Sequence, residues 1–101
     1  MLVTRWQAPS IPSKDQIKMI FQAEGLEPVE EVYKVEERVR EHRHPFDEVR
    51  MIVSGSIFYN VSGNRLLLRP GDRIVIPANT KHETHVEGPE DCISVCAKRP
   101  F

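Results

Sequence analysis

The chain has 101 residues, of which 40% are hydrophobic and 29% charged, and its formal net charge is −1. That length allows one domain with a modest core. The longest apolar runs are three residues, against the roughly 20 that a bilayer-spanning helix needs, and the dispersed Lys and Arg leave no electrostatic footprint for nucleic acid. Met1 to Gln7 lacks the charged region, apolar stretch and cleavage site of a secretory signal, so the expectation is a cytoplasmic protein.

In chain order, Leu2 to Trp6 reads as a short strand, followed by a loop carrying Pro9 and Pro12. A helix comes next: Ser13 is its N-cap with Gln16 three residues on, Ile17, Ile20 and Phe21 share one face, and Gly25 stops it. That apolar stripe must dock on something, as a lid on the core or, in a sharper reading, as a mobile gate. From Pro28 the texture changes to strand, with two strands or one bent strand from about Val32 to His44. Ser54-Gly55, Ser62-Gly63-Asn64, Pro70-Gly71-Asp72 and Gly88-Pro89 punctuate further short strands at Ile57–Val61, Arg65–Leu68, Arg73–Ile76, His82–Val86 and Cys92–Ala97. Short strands between Gly and Pro turns argue for an all-β sandwich or small barrel. A single domain is expected over residues 1–101, with strand and helix in 1–27 and the barrel in 28–101.

The chemistry concentrates in His42-Arg43-His44-Pro45-Phe46-Asp47-Glu48. Side chains alternate on a strand, so His42 and His44 share a face. A straight strand would put Glu48 roughly 20 Å from His42, whereas ligand bonds are only about 2.0–2.2 Å. The chain must therefore turn back before Glu48 for all three to share an ion, and Pro45 sits where such a turn begins. Asp47 has the wrong parity for that pocket and is read as helping the turn. A fourth ligand candidate, His82, follows the strand closed by Pro77 and the Asn79-Thr80 turn; His85, on the opposite face, reads as surface.

This layout resembles the cupin superfamily. His42, His44, Glu48 and Gly55 fit its first motif, and Gly71, Pro77 and His82 fit its second. Asn79 stands where the second motif has a glycine, Glu36 where a glycine often precedes the first histidine, and Val86 where an asparagine often follows the last. The resemblance implies a small double-stranded β-helix barrel with a short N-terminal helix. It implies a site of His42, His44, Glu48 and His82 holding one divalent transition ion, Fe, Mn, Ni, Cu or Zn. Dioxygenation, isomerisation and decarboxylation of a small oxygenated molecule are its implied chemistries; a non-catalytic small-molecule or sugar sensor with a bound metal is the alternative.

Arg50 shares the face of Glu48 by parity, and its fork suits a carboxylate or enediolate beside the ion; a structural ion pair with Glu48 or another acid competes with that role. Asp47-Glu48-Val49-Arg50 is similar to a stretch of acireductone dioxygenases, where an arginine follows the glutamate by two. Tyr33 and Tyr59 are candidates by residue type only, with packing the simpler role. Cys92 and Cys96, about 13 Å apart on one strand face, lie beyond the roughly 7 Å reach of a disulfide and read as reduced thiols. The apolar set Val49, Met51 and Val53 faces away from Glu48 and exceeds what one helix covers. A homodimer is therefore expected, with the strand from Leu2 to Trp6, detached from the barrel, free to pair with a neighbour's edge.

Overall fold

A computed structural model describes residues 1–99. The strands β1 (Leu2–Thr4), β7 (Arg73–Ile76), β4 (Asp47–Ser54), β9 (Cys92–Arg99) and β2 (Val29–Tyr33) form, in that order, a five-stranded antiparallel sheet. A second antiparallel sheet orders β3 (Arg38–His42), β8 (His82–Glu87), β5 (Ser56–Val61) and β6 (Asn64–Leu68). The two sheets pack face to face as a jelly roll, where many short strands gave the expectation of a sandwich or small barrel. One helix, α1 (Lys14–Ala23), lies on the five-stranded sheet.

Period-2 alternation on β4 divides the interior. Ile52 joins Ile57, Tyr59, Leu68, Ile74 and Ile76 in the core between the sheets, whereas Val49 and Met51 turn outward. Ile17 and Phe21 of α1, both fully buried, close over Val49, Met51, Val95 and Ala97, with Leu26 and Trp6 alongside. The helix starts where the sequence places it: the Ser13 side chain accepts from Gln16 N at 3.2 Å and Gln16 Oε1 from Ser13 N at 2.8 Å, a reciprocal cap. Arg73 on β7 grips Glu24 at the helix end through both terminal guanidinium nitrogens and lies over the Phe21 ring.

Two expectations are corrected here. The apolar set of β4 is covered within the chain by α1, Trp6 and Leu26, so it leaves no bare face to require a partner. The N-terminal strand is not detached either, because Leu2, Val3 and Thr4 pair with Val75, Ile74 and Arg73. Asp72 explains the second outcome: its Oδ2 accepts from Arg5 Nη1 at 2.6 Å and from Arg69 N at 2.9 Å, while Trp6 packs on the turn. A Cβ at Gly71 would lie 2.6 Å from Trp6 Cβ, so glycine is needed there. The exposed apolar residues that remain include Leu2, Val29 and Val32, on the two edge strands of this sheet.

Candidate metal centre

The four expected ligands arrive from three places. His42 ends β3, His44 follows it, and the bend at Pro45-Phe46 carries the chain to the other sheet, where Glu48 lies on β4. His82 opens β8 and pairs with His42. The β3–β8 register shifts between Val39 and His42, so β3 holds one extra residue. Three positions apart, these two side chains would face opposite ways on a regular strand; the bulge lets both line one cavity of about 1410 Å³. Two backbone-directed bonds stitch the site together: Ala78 N donates to Asp47 Oδ1 at 2.9 Å and Asn79 N to the His44 carbonyl at 2.7 Å. Asp47 thus anchors the loop that leads to His82 and pairs with Arg99, with no side-chain bond to its own turn among the described residues.

Around the centre, His42 Nε2 lies 3.0 Å from His44 Nε2, and Glu48 Oε1 lies 3.5 Å from His44 Nε2 and 3.6 Å from His82 Nε2. Each of the three imidazoles places a nitrogen within 4.8 Å of the others. Donors sharing one ion at about 2.0–2.2 Å cannot be more than about 4.4 Å apart, so these positions meet the requirement with at most a few tenths of an ångström of closure. The tautomers fit as well. His42 Nδ1 faces the Arg40 carbonyl at 2.7 Å and His82 Nδ1 the Thr80 carbonyl at 2.9 Å, which fixes the ring proton on Nδ1 in neutral imidazole and turns the Nε2 lone pair inward. Among the described residues His82 Nε2 is buried without a hydrogen-bond partner, a costly arrangement for a polar atom that coordination to an ion would relieve.

Behind the donors, the second oxygen of Glu48 is held. Its Oε2 accepts from the Tyr59 hydroxyl at 3.0 Å and from Arg50 Nε at 3.3 Å, leaving Oε1 toward the imidazoles. Burial opposes ionisation of Glu48, but His82, Arg50 and Tyr59 outweigh it and hold the carboxyl at about 2. Burial also pushes the His44 imidazole below its ordinary range. For His82 burial works in the same direction, but Glu48 and the Thr80 carbonyl win and raise it. Nothing local in the sequence marks Tyr59, because its partner is 11 residues away on the other sheet; a period-2 pattern says which residues share a face, not what stands opposite.

Arg50 is buried on the same wall as Glu48, as its parity required, and its fork is engaged: Nε on Glu48, Nη1 on Ser94 Oγ at 2.6 Å and Nη2 on Glu31 Oε1 at 2.5 Å. Tyr33 also lines the cavity, under the guanidinium, and burial takes its phenol to about 12. Both cysteines are free. Cys92 sits in the core and Cys96 on the cavity wall, and burial pushes their thiols to about 11 and about 12, so both stay protonated at neutral pH. His85 stands outside the site, its ring tilted against Phe58.

Two antiparallel sheets enclosing three histidines and an ionised glutamate define a jelly-roll protein with a site fit for a transition ion. A cupin-domain family model matches residues 29–98, and the chain belongs to the cupin family. Two residues where the family often has glycine, Glu36 and Asn79, keep left-handed backbone at φ 66° and 61°, so these departures preserve the chain path. The chain is 46% identical to the acireductone dioxygenase of Bacillus licheniformis over 48 residues, 43% of this chain and 27% of that enzyme. It is 44% identical to that of Leishmania major over 52 residues, 46% of this chain and 15% of that enzyme. A Caenorhabditis elegans relative whose name includes the word inactive matches at 40% over 52 residues. The chain thus spans a third or less of these relatives' lengths. Among solved structures, an RmlC-like cupin from Shewanella frigidimarina superposes with a TM-score of 0.66 at 24% identity, covering 75% of this chain and 67% of that one. A cupin from Bacteroides fragilis gives 0.65 at 21%, covering 74% and 65%. No helix among the described residues is long and apolar enough to cross a membrane.

Proposed function

We propose that the chain is a metal-dependent enzyme acting on a small oxygenated molecule, with one divalent transition ion held by His42, His44, Glu48 and His82. The observation that carries this reading is the inward set of Nε2 lone pairs and Glu48 Oε1 at the wall of an open cavity. When bound, such an ion supplies Lewis acidity or oxygen activation. The chain's own residues do the positioning. Tyr59 and Arg50 aim the carboxylate, the Arg40 and Thr80 carbonyls fix the two imidazoles, and Phe46, stacked on His44 at 4.7 Å between centroids, shields one face of that ring. Arg50 is the residue we assign to the substrate's charge.

Of the implied chemistries, dioxygenation is favoured because the curated relatives named above carry that name. The test is oxygen consumption by protein loaded in turn with Fe, Mn, Ni, Cu or Zn and offered small enediols and diketones. Uptake that is lost in His82→Ala supports the enzyme. Ligand binding without turnover for every metal would move the protein to the alternative, a binding or sensor module. We also propose a homodimer, on new grounds: it would form along the exposed edges of β1 or β2, where Leu2, Val29 and Val32 are bare.

A further inference from the structure

The cavity wall beyond Glu48 carries a second constellation that shares only Arg50 with the metal centre. Three donors converge on a single oxygen, Glu31 Oε1: Arg50 Nη2 at 2.5 Å, Cys96 Sγ at 3.3 Å and the Tyr33 hydroxyl at 3.4 Å. All four residues line the cavity. Arg50 is buried and already faces one carboxylate, Glu48, so its charge is balanced without Glu31. Glu31, by contrast, comes from the edge strand β2, and its side chain is 38% exposed. It can swing to water about its own side-chain torsions without opening the β2–β9 ladder, in which Glu31 pairs with Ser94 through the backbone.

We propose that Arg50, Tyr33 and Cys96 form a carboxylate subsite which the chain's own Glu31 side chain fills until a ligand carboxylate displaces it. This rests on the reading that the cavity takes a small oxygenated molecule, and it narrows that class to acids. One end of the ligand lies toward the histidines, and a separate carboxylate takes the position of the Glu31 carboxylate. The exchange keeps the number of charges and hydrogen bonds at Arg50 constant, so displacement costs little beyond ordering the ligand. The subsite and the histidines are separated only by the Arg50–Glu48 pair, which suits a short-chain acid.

Acetate is the probe, titrated into wild type and Glu31→Ala as purified, with metal content measured in each sample and melting temperature followed. In Glu31→Ala the vacated cradle should bind acetate at least tenfold more tightly than in wild type, raising the melting temperature, while neutral acetamide has no effect. Adding Tyr33→Phe should weaken that response several-fold, which acetate bound at a metal would not show. Should Glu31→Ala not fold, Glu31→Gln keeps the length without the charge and should bind acetate more tightly than wild type. Equal acetate responses in wild type and the Glu31 variants overturn the subsite. Metal loss with the acetate response kept counts against the metal centre alone.

Discussion

Deleting the Tyr59 hydroxyl is the cleanest perturbation of the site. The ring of Tyr59 is fully buried and stacks near His82, so Tyr59→Phe leaves packing intact and removes only the 3.0 Å bond to Glu48 Oε2. A buried hydrogen bond to a charged group contributes about 1.5–3 kcal/mol. Glu48 keeps Arg50 Nε at the longer distance of 3.3 Å, so the loss should fall near the lower end, about 1.5–2 kcal/mol. The same quantity reaches the metal, because partners behind a ligand typically alter affinity by about 10- to 100-fold, which is about 1.4–2.7 kcal/mol. Two assays read it: urea unfolding of the metal-free protein, where the midpoint should fall at unchanged slope, and competition with a coloured chelator for Zn, where affinity should drop about tenfold or more. A variant within about 0.5 kcal/mol and twofold of wild type on both would refute the claim that Tyr59 aims the carboxylate.

Other outcomes follow from the same geometry. Glu48 is held at about 2 against an ordinary 4.5, and at about 1.4 kcal/mol per pH unit this is roughly 3 kcal/mol of metal-free stability. Because the folded value is the lower one, that stability is whole above pH 4.5 and lost as pH falls toward 2; acid unfolding of Glu48→Gln should be flatter over that window. Gly55→Ala should cost more than about 2 kcal/mol, since φ is +76° and the new Cβ would lie 2.3 Å from the Asp91 carbonyl oxygen; an unchanged melting temperature would sink that account. Arg50→Lys keeps a cation beside Glu48 but loses the fork, so it should weaken binding of carboxylate or enediol ligands by more than it weakens metal binding; unaltered ligand affinity with a large stability loss would make Arg50 a structural residue. Light scattering should give a mass near twice 11.7 kDa, and Val32→Asp should shift it toward monomer if the β2 edge is the contact; a monomeric mass would dispose of the dimer.

The local elements and the candidate ligands are legible without the fold. A reciprocal Ser13–Gln16 cap, an apolar stripe at Ile17 and Phe21, and turn residues at Ser62-Gly63 and Pro70-Gly71 each act within a few residues, so they are legible without the fold. His42, His44 and Glu48 stand out as candidate ligands for the same reason, because strand alternation plus a turn at Pro45 would let all three reach one ion. What faces what is a different matter, because it depends on pairings between residues far apart in sequence. Whether α1 alone covers Val49 and Met51, whether Leu2–Thr4 stays with its own β7, and whether Tyr59 meets Glu48 across the two sheets were decided by tertiary structure. The bulge in β3 belongs there too: one extra residue reverses the parity of everything beyond it, so that Val39 and His42 line one cavity although their spacing puts them on opposite faces. The same holds for the cradle on Glu31, whose donors come from β2, β4 and β9 and become neighbours only when the five-stranded sheet has formed.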